Sequence, residues 1–225
     1  MEEERVFDAE KVERRCRACE DKSDSEWECM SSVGFLAPSE KLLDVIRRDE
    51  AALNRLQTTR AAIGKQLREL LAALQEQKGD EGRILFRGRE WSWKRAWFVS
   101  PQYSPFREVG KRHEQGWSEE WKLQCGGGEI KLLLTRGTVD MIEDFGFFEG
   151  GLDGSNPYRI DPDTAVCAVT GGAITSQVRE FAELRASYKK AARQKARDEL
   201  IAVMQPRLKE PGAREYLEHQ LQKLK

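Results

Sequence analysis

The sequence predicts an α+β protein: a small antiparallel sheet with short helices, preceded by a helical hairpin and followed by a long charged C-terminal helical arm. Three observations carry this prediction. Apolar side chains recur at three-and-four spacing between residues 40 and 77, and they alternate between residues 84 and 134. Beyond residue 173 the chain is rich in helix formers and poor in large apolar residues. These shifts divide the chain into an acidic mobile segment (1–38), the hairpin (39–79), an α+β core (80–172) and the arm (173–225).

Residues 1–30 carry eleven acidic and six basic side chains with few large apolar ones, so little buried surface offsets the entropy of ordering them. Pro38-Ser39 then marks a helix start near residue 40, with Ser39 as the cap. Ile46, Leu53, Leu56, Ile63, Leu67, Leu70 and Leu74 form one helical stripe that Asp49 and Arg60 interrupt. With Gln57-Thr58-Thr59 between these breaks, two helices joined by a short turn are expected, the second capped by Thr58 or Thr59 and ending near Gly79.

In the next segment Ile84 and Phe86, then Trp91 and Trp93, then Trp117, Trp121, Leu123 and Cys125, then Ile130, Leu132 and Leu134 share parity within each run. This is the pattern of strands with one buried face. Gly126-Gly127-Gly128 supplies the turn between the last two strands, and residues 100–116 read as an exposed loop. A short helix is expected from Thr138 to Phe145, stopped by Gly146. Another should be capped by Asp161, with Pro162 in its first turn, and end at Gly171-Gly172. The arm should be a long helix broken at Pro206 and Pro211, then a short one.

Composition excludes several classes. With 38 basic and 39 acidic residues the net charge is −1, so any affinity for nucleic acid or anionic lipid must come from a local patch. No apolar run exceeds five residues, whereas a membrane-spanning helix needs about 20. The first residues show no secretory or organellar leader pattern, and a cytoplasmic location is the expectation. Five cysteines at irregular spacing suit reduced thiols rather than a disulfide framework.

Catalytic patterns are weak. Cys16 and Cys19 have zinc-ligand spacing with Cys29 as a third candidate, but no local fourth ligand follows, so no metal is assigned. His113 and His219 are the only histidines, and a nucleophile pair would have to join His113 to Cys125 or Cys167. Glu149, Asp153, Asp161 and Asp163 cluster in sequence, yet turn and cap roles account for the three aspartates. The triple glycine lacks the Lys-Ser/Thr ending and following helix of a phosphate loop, and no cofactor motif is present.

Binding is the better-supported class. Phe147, Phe148, Glu149, Tyr158 and Arg159 lie on a glycine-flanked loop and are residue types that carry interface energy, so they are the expected partner-binding set; the competing expectation is that the aromatics close the core. The leading reading is a non-catalytic interaction or assembly subunit, which meets a protein partner or its own copy through the terminal helices. The alternative is an RNA or single-stranded DNA binder. Its residues would be Arg87, Arg89, Trp91, Trp93, Lys94, Arg95 and Trp97 on the sheet, with Lys189, Lys190, Arg193, Lys195 and Arg197 on the arm. Against this alternative, alternating Trp and Lys/Arg is also what a sheet with one buried and one wet face requires.

Overall fold

A computed structural model describes residues 7–17 and 34–224. Its seven helices and four strands, counted among these residues, give the α+β architecture expected from the pattern.

α1 (Ala9–Cys16) begins where the Asp8 side chain accepts the Lys11 amide hydrogen. Its position differs from the mobile segment expected there, because Val12 and Cys16, four residues apart, place one apolar face into the core. Arg15 is buried beside them, donating to the Arg107 carbonyl at 3.1 Å and to Glu108 at 3.0 Å. The proposed zinc ligands Cys19 and Cys29 lie outside the described residues.

α2 (Leu42–Arg55) starts later than Ser39 suggests, with Lys41 at the N-cap position and no side-chain hydrogen bond from it to the first turn. The nearby Glu40 carboxylate is committed elsewhere, accepting the amide hydrogens of Ala37, Gly151 and Leu152. α3 (Arg60–Gln75) follows a four-residue turn and is capped by Thr59, whose hydroxyl accepts from the Ala62 amide.

The sheet is an antiparallel meander of β1 (Glu81–Phe86), β2 (Arg89–Gln102), β3 (Trp117–Cys125) and β4 (Ile130–Leu134), hydrogen-bonded in that order. Register places Trp93 opposite Leu123 and Leu123 opposite Leu132, so the apolar parity of all strands meets on one face. That face packs on Leu67, Leu70, Leu71 and Leu74 of α3. Gly127, with φ of 65°, turns β3 into β4 as the triple glycine predicts.

α4 (Arg136–Phe145) is shared by two cores. Val139 and Ile142 face the sheet cluster, whereas Met141 and Phe145 enter a second cluster with Phe35, Leu42, Phe106 and Phe147. Its cap is Thr135 rather than Thr138, and Gly146 ends it in the left-handed conformation. α3 and α4 approach closely at Gly64, where a Cβ would overlap Glu143. α5 (Pro162–Thr170) carries the expected Asp161 cap and first-turn proline.

α6 (Ser176–Met204) is capped by Thr175 and buries only Val178 and Met204 of its 29 residues. A tight turn at Gln205–Arg207 leads to α7 (Ala213–Lys223), which packs back on the distal end of α6 and buries only Ala213. Among the described residues no helix is long and apolar enough to cross a membrane.

Candidate functional site

The glycine-flanked loop singled out from sequence turns inward. Phe147 and Phe148 are fully buried, one in each cluster, and Glu149 and Arg159 are only 2% exposed, so their side chains present no surface to a partner. Tyr158 alone of the five remains half-buried; burial and the Glu120 carboxylate push its phenol above the ordinary range. The physical reason is pairing. Arg159 makes a two-pronged contact with Asp49 of α2, at 3.1 and 2.6 Å, and also donates to the Glu149 carbonyl. Asp49, the residue that broke the apolar stripe of α2, is the sequence signal for this partner.

Glu149 sits beside that pair with φ of 64°, accepting from the Thr138 hydroxyl at 3.0 Å and from the Asn156 amide nitrogen at 3.1 Å. Burial raises its carboxyl to about 7, against the opposing pull of Asn156, Thr138 and Arg159. Asp161 caps α5, Asp163 pairs with Arg55 at 2.5 Å, and Asp153 accepts the Ser155 amide. The cluster of acids thus has structural tasks.

The sheet residues of the nucleic-acid alternative divide in a similar way. Trp91 and Trp93 are buried on the inner face, where their rings cannot stack on a base, whereas Trp97 is 63% exposed. Arg95 lies between the Trp97 and Trp121 rings, 5.5 and 5.4 Å from their centres. Arg87 pairs with Glu69 at 2.7 Å, Lys94 with Glu81 at 2.8 Å, and Arg89 reaches the sulfurs of Cys125 and Cys167 and the Gly172 carbonyl. On the arm, Lys189, Lys190, Arg193 and Lys195 are exposed and Arg197 is half-buried.

What the structure assembles, and the sequence reading missed in part, is a groove on the outer sheet face. Arg83, Lys94, Lys122 and Lys131 project from four strands, and Arg185 and Lys189 of α6 with Pro157 add a wall; the groove encloses about 730 Å³. Glu81 is the one acidic residue lining it among the described residues, and Glu120 pairs with the groove residue Lys122 at 3.1 Å. Lys94 stands directly opposite Lys122, a like-charge cross-strand pair whose repulsion is relieved by carboxylates, Lys94 meeting Glu81 at 2.8 Å and Lys122 meeting Glu120. The signal was parity: Lys122 and Lys131 alternate with the buried residues of their strands. Arg185 and Lys189 reach the same place only through the path of α6, which no local pattern encodes.

Beneath α6 a second cleft of about 700 Å³ opens between the helix and the body. Lys131, Pro157, Arg185 and Lys189 line both spaces, so the two meet at these residues.

A buried chain joins Ser104, His113 and Asp144, with Ser104 Oγ 3.3 Å from His113 Nδ1 and His113 Nε2 2.7 Å from Asp144. Its order resembles a nucleophile relay, but Ser104 and His113 are fully buried and Ser104 also accepts the Phe106 amide hydrogen. Burial holds the imidazole below its ordinary pKa, despite Asp144, and the trio ties the 103–116 loop to α4. Neither candidate cysteine faces His113; both face Arg89. Among the described residues no three potential metal ligands converge. No protein-family model matches this chain, and neither the curated proteins nor the solved structures contain a significant match to it.

Proposed function

We propose that this chain is a non-catalytic interaction subunit that docks on an acidic protein surface through α6 and α7. The observation that carries the reading is the exposure of this arm: Leu184, Tyr188, Ile201, Val203 and Tyr216 remain 39–64% exposed on two helices that bury three residues between them. Residues 187–209 carry seven basic and two acidic side chains, which fits an acidic partner. A second copy would bring the same basic strip and is disfavoured by repulsion.

The test is the native mass of complexes isolated with the tagged full chain, with and without nuclease, for the parent, Val203→Glu and Tyr216→Ala. The reading expects a nuclease-resistant complex heavier than the 25.8 kDa chain, lost in both variants while their thermal unfolding is unchanged. A complex indifferent to both substitutions, or a monomer throughout, refutes it.

A second reading, RNA or single-stranded DNA binding, is favoured by the cations that four strands and α6 bring to one groove. Its residues are Arg83, Lys94, Lys122 and Lys131 rather than the tryptophans. A complex that collapses on nuclease treatment, with oligonucleotide affinity that falls steeply with salt, is its expected signature.

A further inference from the structure

We propose that the cleft beneath α6 binds a phosphate monoester with an aromatic body, of nucleotide size, whose phosphate is held by Lys131, Arg185 and Lys189. The inference rests on neither reading above. No carboxylate lies within ion-pair distance of these three cations among the described residues. Arg185 is half-buried, and among the described residues its guanidinium donates to the Pro157 carbonyl, at 2.5 Å, and lies over the Phe181 ring. Burial and the neighbouring Arg159 hold it below its ordinary pKa, against the opposing pull of Glu149.

A second observation comes from the same cleft. Arg159 and Thr164 both line it and are more than nine-tenths buried, yet Arg159 Nε and Thr164 Oγ1 have no hydrogen-bond partner among the described residues. Buried donors without partners are uncommon and mark places where a ligand oxygen or water completes the structure. Of the acids along the cleft, Glu129 pairs with Arg179 at 3.3 Å, Asp161 caps α5 and Glu183 is exposed.

The helix side combines small residues with the aromatic rings of Phe181 and Tyr188. Val178, Ala182 and Ala186 recur at four-residue spacing along the α6 face that lines the cleft, next to Phe181, whose ring carries the Arg185 guanidinium 5.8 Å from its centre. Its volume of about 700 Å³ falls within the range of small-ligand sites, which are mostly apolar with a few convergent polar groups. Small and aromatic side chains beside cations without carboxylate partners match an aromatic phosphomonoester better than inorganic phosphate alone.

Calorimetric titration of the full chain with adenosine monophosphate, phenyl phosphate and adenosine tests the assignment. Saturable binding of at least one phosphate ester, with adenosine at least tenfold weaker, is expected. Lys131→Glu and Lys189→Glu, both exposed and so compatible with folding, should each weaken it by roughly tenfold or more. Lys195→Glu, farther along α6, should leave it unchanged. No binding of either ester at millimolar concentration, equal affinity for adenosine, or indifference to both charge reversals overturns the site. So does an oligonucleotide that binds through Lys131 and Lys189 but is not displaced by either ester, which transfers these cations to the nucleic-acid reading.

Discussion

Replacing Glu149 by Gln isolates the energetic consequence of burying that carboxyl. The group titrates near 4.5 in an unfolded chain and near 7 in the folded one, so the folded state holds its proton more tightly. The contribution of this group to stability is therefore greatest below about pH 4.5, falls as pH rises and levels off above about 7. At 1.36 kcal/mol per pH unit the full loss is about 3 kcal/mol, most of it between pH 5 and 8. The glutamine can keep the local geometry. Its amide nitrogen can donate to Thr138 Oγ1, whose own hydrogen is then free for Thr135 Oγ1 at 3.0 Å, and its oxygen can accept from Asn156. Urea unfolding of both proteins at half-unit steps from pH 5 to 8 should show the parent losing roughly 2 to 3 kcal/mol relative to the variant. Other titrating groups, including His113 and Asp161, are common to both proteins and cancel in the difference. Parallel profiles, within about 0.5 kcal/mol throughout, would show that the carboxylate is not penalised in this site and would refute the argument.

Four further outcomes follow from packing and pairing. Arg159→Leu leaves Asp49 buried without its cation and should cost about 3–5 kcal/mol in urea unfolding at pH 7. Gly64→Ala forces α3 and α4 apart where the added methyl meets Glu143, and should cost about 1–3 kcal/mol, read as a lower Tm. Trp121→Ala should cost about 3–5 kcal/mol because the ring is fully buried. Trp97→Ala, on a side chain 63% exposed, should stay within about 1 kcal/mol of the parent by the same measurement.

Elements with strong periodicity were legible in the sequence. The leucines of α3 and the alternating aromatics of β2 and β3 specify both element type and buried face, because a helix or a strand leaves little choice once apolar spacing is set. Thr59, Gly146, Asp161 and Pro162 likewise marked helix ends by local chemistry. The candidate site was less legible because it depends on distant pairing. Arg159 looks like an interface arginine until Asp49, 110 residues away, is seen to neutralise it. Phe147 and Phe148 look like loop aromatics until α1, α2 and the sheet supply two separate cores to receive them. The short α1 escaped notice because its apolar face consists of little more than Val12 and Cys16, among mostly charged neighbours.

The slender attachment of α6 makes the arm a lever. A 29-residue helix is about 44 Å long, so a tilt of about 10° at Val178 carries the far end through about 7 Å. The same tilt moves Lys189, eleven residues from that fulcrum, by about 3 Å. A partner gripping α7 would therefore work at high mechanical advantage on the width of the cleft, and a molecule wedged at Arg185 would be amplified into a large displacement of the tip.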